Sequence, residues 1–319
     1  MARADRAFAL LLALALGSSA ILLALFASLL TRIGELVSRG PSGAADLVTV
    51  LVLILAVCGI GLGLGALCRQ LLATAGLIRS LLRRRIAAPR RVAAVADALG
   101  LVGRIDVVED ERPFSFCYWF VRPRICVSTG LARRLAHDEL RAVLLHERYH
   151  LRHRDPLRLV VARYFAACLY FVPFVEELLE YYALEKELAA DQEAVREAGD
   201  VAPLARALYK VLPDADDVSL GLLVPVGSLS VTEARIEQLV DGRALPLALR
   251  PLSVALSSGA LAGASVLSFV HGQALHAFDS MPPVVVVPTL LVAPASLLFA
   301  AAVSGGLQQL RLVTRRSDR

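Results

Sequence analysis

Four stretches without a charged side chain constrain the fold of this chain most strongly. They cover residues 7–31, 47–68, 251–270 and 282–310, and each reaches or exceeds the about 20 residues that an α-helix needs to cross a bilayer. Hydrophobic residues make up 57% of the 319, and the mean hydropathy of +0.63 exceeds that of ordinary soluble domains. We therefore predict an integral membrane protein, mainly α, with four transmembrane helices, the last at about 282–304.

The basic residues predict how these helices are oriented. Seven arginines and no acid occur from Arg69 to Arg91, four more arginines follow residue 310, and no Lys or Arg lies between Arg250 and Arg311. The positive-inside rule then places both termini and the segment between the second and third spans in the cytoplasm of a multi-pass plasma-membrane protein. The net charge of +5 thus reflects orientation in a lipid bilayer, and no direct nucleic-acid binding is expected.

The motif with the clearest chemistry is HExxH, at residues 146–150. On a helix His146 and His150 lie one turn apart on the same face and can bind one metal ion. Glu147 lies about 100° further around, where it can hold a water molecule as a general base without competing as a ligand. The competing interpretation is a surface amphipathic helix with two hydrogen-bonded histidines.

A third zinc ligand is expected downstream, because hydrolytic zinc sites usually use three protein ligands and leave one position for water. Glu187 and Asp191 stand four residues apart on a second predicted helix. We predict Glu187 as the third ligand and Asp191 as the partner of the outer nitrogen of a zinc histidine. Other nearby glutamates and His153 are the alternatives; Asp155-Pro156 is interpreted as the stop of the HExxH helix.

The two motifs, HERYHLRHRDP and ELAAD, resemble the gluzincin pattern of membrane-embedded zinc peptidases, HExxH followed by ExxxD. Two groups carry it, the BlaR/MecR-type antirepressor peptidases and the HtpX/CAAX-protease group. Residues 114–131 are similar to the strand pair that precedes the motif in both, and residues 170–175 resemble the "WFNPLV" of the BlaR/MecR type. Residues 230–236 keep an Arg-Ile but lack the histidine of the HtpX group. By this resemblance Arg235 is a candidate oxyanion or substrate contact; the alternative is an ordinary surface or ion-pairing arginine.

The resemblance spans roughly residues 90–240 and predicts the domain organisation. Residues 1–89 hold two transmembrane helices and a basic linker, residues 90–242 a cytosolic α+β gluzincin-type zinc peptidase domain with a small β-hairpin or sheet, and residues 243–319 two further spans. The apolar run at 157–175 suggests a fifth span, but one crossing there would separate Glu187 from His146. We therefore expect a re-entrant, interfacial or core-buried helix. The β-rich run at 114–128 is either a substrate-pairing edge strand or a structural hairpin.

The resemblance implies a zinc endopeptidase that cuts a cytosolic or membrane-proximal protein, in particular a winged-helix repressor in a signalling pathway. The alternatives are an HtpX-like quality-control protease and a non-enzymatic membrane scaffold or receptor. Neither Lys186 nor Lys210 has a serine three residues before it, so the SxxK acylation motif is absent. A penicillin-binding sensor domain is also missing after the last span. We therefore expect no direct β-lactam binding.

Overall fold

The computed structural model describes residues 4–20, 40, 44–170, 172–211, 235–236 and 250–274. By their contacts the residues form two compact units. The first unit comprises Met1–Ala7, Ala66–Arg163 and Glu180–Leu247, and the second comprises Phe8–Gly65, Tyr164–Leu179 and Ala248–Arg319.

Helices dominate the described residues. Residues 4–20 form α1. The elements that follow are α2 (Ala44–Leu82), β1 (Arg85–Ile86), α3 (Arg90–Ala98), β2 (Ile105–Val108), β3 (Ser115–Tyr118), β4 (Arg124–Ser128), α4 (Thr129–Arg134), α5 (His137–His153), α6 (Asp155–Cys168), α7 (Pro173–Ala198), α8 (Ala202–Val211) and α9 (Pro251–Ala274).

The four strands form one small mixed sheet in the order β1-β2-β4-β3. Strands β2 and β4 are parallel, with Val107 opposite Val127, and the other two pairings are antiparallel. The β-rich run predicted at 114–128 contains all of β3 and β4, because its aromatic and β-branched residues fit a pleated, half-buried surface. The prediction of a mainly helical protein with a small sheet is confirmed.

The core of the first unit lies between this sheet and α5. Leu140 and Leu144 of α5 and Ile125 and Val127 of β4 are each 0% exposed and belong to one hydrophobic cluster. Burying each such side chain stabilises the fold by about 1.5–3 kcal/mol. This packing fixes the rotation of α5 about its axis, which decides where the two motif histidines point.

One helix of the described residues is long and apolar enough to cross a membrane, at Val57–Leu82 within α2. Only 11% of its apolar window is buried, whereas a core helix of a soluble protein would be mostly covered. Helix α2 also continues 14 residues past the predicted end at residue 68, into the segment interpreted as a linker. The reason is that arginine and leucine favour helix and no proline interrupts the segment.

The other predicted spans are described only in part. Residues 7–20 of the first lie in α1, and the predicted span at 251–270 lies within α9. The last, at 282–304, falls outside the described residues.

The apolar run at 157–175 does not form one long helix. Helix α6 has 14 residues, about 21 Å at 1.5 Å per residue, which is short of the about 30 Å of a bilayer core. The chain turns at residues 169–170, and Pro173 begins α7. Residues 180–247 belong to the same unit as α5, so His146 and Glu187 lie in one unit.

Candidate metal centre

Helix α5 carries the HExxH motif and is held at both ends. The side chain of Glu139, which is 1% exposed, accepts a hydrogen bond from the backbone N–H of Ala136 at 2.7 Å and pairs with Lys210 of α8 at 2.7 Å. At the other end Arg154 takes a left-handed conformation with φ 52°. This residue ends α5 and lets Asp155 begin α6 at a new angle.

Three side chains with metal-binding atoms meet between α5 and α7. One ligand atom from each of His146, His150 and Glu187 lies within 4.8 Å of the other two. Glu187 places Oε2 3.4 Å from His146 Nε2 and Oε1 3.5 Å from His150 Nε2, while the two Nε2 atoms are 3.1 Å apart. The fold thus brings together the three residues that the sequence predicted as zinc ligands.

The outer nitrogen of each histidine is held by a carboxylate. His146 Nδ1 lies 2.7 Å from Asp191 Oδ1, and His150 Nδ1 lies 2.9 Å from Asp155 Oδ2. A carboxylate at Nδ1 favours the tautomer with its proton there, which leaves the Nε2 lone pair available to a cation. The contact of Asp191 is the one predicted from the ExxxD spacing.

Asp155 was not predicted as part of the site, because the sequence suggested only that Asp155-Pro156 stops a helix. Its second oxygen, Oδ1, forms an ion pair at 2.9 Å with the ammonium of Lys186, which is 4% exposed. The angles of this contact fall outside those of a hydrogen bond. The ammonium also lies 5.3 Å from the centre of the Tyr149 ring. Asp155 therefore joins His150 to the residue preceding Glu187.

Glu147, the glutamate of the HExxH motif, is held in place by residues of strand β3. Ser115 on β3 donates a hydrogen bond from Oγ to Glu147 Oε1 at 2.7 Å, and the Cys117 thiol donates to the backbone carbonyl of Glu147 at 3.1 Å. Burial and the charge of Glu147 raise the pKa of Cys117 well above its ordinary value, so the thiol stays protonated as a donor. Sequence reasoning missed Ser115, since nothing local connects it to a helix 32 residues away.

Arg235 contacts the carboxylates of Asp191 and Glu187. Its Nε and Nη2 donate to the two oxygens of Asp191 at 2.7 and 2.8 Å, and Nη1 is 3.4 Å from Glu187 Oε2. Although burial opposes the charge, these two carboxylates raise the pKa of Arg235. The residue singled out as an oxyanion or substrate contact thus has its guanidinium bound to Asp191.

The alternative ligands point elsewhere. His153 donates from Nδ1 to the backbone carbonyl of Tyr149 at 2.9 Å, and its ring lies against the Tyr149 ring at 4.0 Å between centroids. Glu193 pairs with Arg196 at 2.7 Å. Within the part of the chain that the structure describes, neither His153 nor Glu193 joins the three-residue cluster.

The charges of the cluster suit a cation. Burial opposes protonation of His146, but Asp191 and then Glu187 raise its pKa to about 10. Burial likewise opposes ionisation of Glu187, but His150, His146 and Arg235 hold its pKa well below the usual range. The carboxylates of Asp191 and Glu187 thus stabilise a positive charge beside them.

The donor set also fits zinc. Four carboxylates lie in or beside the cluster, from Glu147, Asp155, Glu187 and Asp191, and Lys186 and Arg235 form ion pairs with three of them. Two imidazole nitrogens and one carboxylate form the ligand set of catalytic zinc sites that keep a position for water. The residues present thus match a zinc ion in both donor type and charge.

Comparison with known protein families agrees with this geometry. The BlaR1 peptidase M56 family matches residues 43–238, which is more than half of the chain and includes α5 and the cluster residues of α7. The resemblance to BlaR/MecR-type peptidases is thereby confirmed. The chain belongs to the BlaR1 peptidase M56 family.

Proposed function

We propose that this protein is a membrane-embedded, zinc-dependent endopeptidase. The observation that carries the proposal is the meeting of His146, His150 and Glu187, with a carboxylate on the outer nitrogen of each histidine. Membership of a peptidase family supports hydrolysis of peptide bonds. The buried Glu147 beside the cluster argues against a purely structural metal site, which needs no general base.

Each surrounding side chain has a role in this proposal. Zinc held by the three ligands would supply Lewis acidity, which polarises a peptide carbonyl and acidifies water. Glu147 accepts the proton of the attacking water at its carboxylate and delivers it to the leaving amine. The hydrogen bond from Ser115 to Oε1 holds that carboxylate in place. Asp191 and Asp155 keep His146 and His150 in the binding tautomer.

The sheet offers a binding edge for an extended substrate. Among the described residues, strand β3 is the last strand on its side of the sheet, and it carries the serine that contacts Glu147. A peptide that adds to β3 as a further strand would be held by main-chain hydrogen bonds next to the general base. For Arg235, the contacts support a role in holding Asp191 and Glu187 rather than in binding the oxyanion.

For the substrate, we propose a cytosolic or membrane-proximal transcriptional regulator, such as a winged-helix repressor. Support comes from the family, which is that of the BlaR1 peptidase, and from the positive-inside rule, which favours a cytoplasmic active site in a four-span protein. Clearance of damaged membrane proteins is the alternative activity.

The test compares cell proteomes that contain either the wild-type protein or the Glu147→Ala variant. One or a few soluble DNA-binding proteins should gain new termini only with the wild type. New termini in many membrane proteins would favour quality control. No new termini under any stress would contradict a proteolytic function.

A further inference from the structure

The loop at the tip of the β3–β4 hairpin exposes apolar side chains to solvent. Trp119 is 48% exposed and Val121 is 80% exposed. Trp119 also has a positive φ of 65°, a conformation that bulky L residues rarely adopt. The surrounding structure thus holds Trp119 in a backbone conformation that bulky residues disfavour, which points to a role for the exposed ring.

A second loop at the same end of the sheet extends this surface. Arg124 donates to the carbonyl of Gly103 at 2.7 Å, which ties the hairpin to the loop that holds Val102, itself 69% exposed. Residues 99–105 and 118–124 contain three arginines and no acid. Arg124 is neutralised by Asp106, whereas Arg104 and Arg122 are exposed. We call Val102, Arg104, Trp119, Val121 and Arg122 the sheet-end patch.

The packing of the sheet on α2 and the direction of β3 relate the sheet-end patch to this helix. Ile78 and Leu81 of α2 belong to one hydrophobic cluster with Tyr118, and the Tyr118 and Trp119 rings are 6.2 Å apart. Only two residues separate α2 from β1, so β1 begins beside the C-terminus of α2. The strand pairings make β3 parallel to β1. The tip of the hairpin therefore lies at the end of the sheet that is farther from the start of β1.

Arg69 ends the uncharged stretch 47–68 and marks the edge of the hydrocarbon layer if α2 crosses the membrane. It lies about 13 Å before Ile78 along the helix. A hairpin that follows α2 toward Arg69 extends about 7–10 Å beyond Tyr118. The few ångströms left between its tip and Arg69 are comparable to the thickness of the headgroup layer, about 5–7 Å on each side of the bilayer.

We propose that the sheet-end patch is an anchor that sits in the phospholipid interface, with Trp119 and Val121 at the acyl-chain boundary and Arg104 and Arg122 on headgroup phosphates. Tryptophan prefers this layer because its ring is apolar and its N–H is polar. The anchor fixes the depth of β3, and so of Ser115 and Glu147, relative to the membrane. The proposal rests on α2 crossing the bilayer, as proposed for the membrane-embedded peptidase.

The experiment uses Trp119 as its own probe, because it is the single tryptophan of the chain. The full-length, zinc-loaded protein is placed in nanodiscs whose acyl chains are brominated near the headgroup or are unbrominated. The expected result is a loss of Trp119 emission in the brominated discs, together with weak quenching by aqueous acrylamide. Equal emission in both discs with strong acrylamide quenching overturns the proposal. A change in emission only on adding a peptide substrate also overturns it, in favour of a substrate contact.

A control variant distinguishes a wrong anchor proposal from the case in which α2 does not cross the bilayer. The double variant Trp119→Phe, Leu64→Trp moves the probe to an exposed position of α2 within the uncharged stretch, and its zinc content shows that it has folded. Bromine should quench this tryptophan too. If it does not, α2 does not cross the bilayer, and the anchor falls together with the membrane-embedded part of the proposed function; if it does while Trp119 stays bright, the anchor alone is wrong.

Discussion

At the scale of single residues, the proposed mechanism assigns metal binding and proton transfer to different side chains. Glu147→Ala should abolish proteolysis and leave the zinc content near that of the wild type, because Glu147 lies beside the ligands and is not one of them. His150→Ala and Glu187→Ala should instead lose zinc. Metal analysis of the three purified variants, alongside a cleavage assay, checks this. Full zinc in Glu187→Ala would remove Glu187 from the ligand set.

The two outer carboxylates should have similar effects on zinc affinity. Asp155→Ala and Asp191→Ala are each expected to weaken zinc binding about 10- to 100-fold, since each releases the outer nitrogen of one ligand histidine. Competition with a chelator measures the affinity. Glu193→Ala, which removes a charge of α7 that forms an ion pair with Arg196 and lies outside the three-residue cluster, is the matched control. Unchanged affinity in Asp155→Ala would show that its contact with His150 has no effect on the metal.

A loss of folding must be told apart from a loss of affinity in these variants. Asp155→Ala leaves the buried Lys186 without its ion-pair partner, and an unpaired buried charge destabilises the folded state. The double variant Asp155→Ala, Lys186→Met removes both charges. If Asp155 acts through His150, the double variant should recover stability without zinc but keep the weakened zinc affinity.

These residues show how far sequence reasoning reaches at this scale. The spacings HExxH and ExxxD place their side chains on single helix faces, so the pairs that they form were predictable from helix periodicity alone. Asp155 follows His150 by five residues, but its contact depends on the left-handed conformation of Arg154. Ser115 reaches Glu147 only through the packing of β3 on α5. No local pattern contains either of these contacts.

At the scale of elements, α2 packs on the end of α6 through glycines on one of its faces. A Cβ on Gly59 would meet the carbonyl oxygen of Cys168 at 2.6 Å and the Tyr170 ring at 3.0 Å, whereas a Cβ on Gly61 would meet nothing within 4 Å. Gly59→Ala should therefore destabilise the protein by about 1–3 kcal/mol, the usual cost of overpacking. Gly61→Ala should be neutral or slightly stabilising, because alanine favours helix.

Thermal unfolding of the two variants in the same detergent measures the difference. The comparison is matched, since both substitutions add one methyl group to the same helix two residues apart. Equal melting temperatures would mean that α2 and α6 do not pack through Gly59 in the detergent-solubilised protein.

Sequence reasoning also had a limit at this scale. The four uncharged stretches were defined by where charges begin, so the second was expected to end at residue 68. Helix formation does not stop at an arginine, and α2 continues to Leu82. The end of a helix and the edge of a membrane are different boundaries, and composition indicates only the second.

At the scale of the whole molecule, the three-residue cluster and the proposed spans set one topological requirement. His146 and Glu187 contribute to one cluster, so the chain between them must begin and end on the same side of the membrane. Helix α6 is too short for a full crossing. A protein with four spans and a single catalytic segment between the second and third satisfies this requirement, and the arginine distribution favours the cytoplasm for that segment.

Cysteine-accessibility labelling in intact cells tests this topology. On a background without the five native cysteines, single cysteines at positions 40 and 277 should react with a membrane-impermeant reagent from outside, while those at positions 110 and 315 should be protected until the membrane is opened. Positions 40 and 110 lie on either side of α2 along the chain, so opposite labelling of this pair requires that α2 cross the membrane. External labelling at 110 would place the proposed active site outside the cytoplasm, and a cytosolic regulator would then no longer be an accessible substrate.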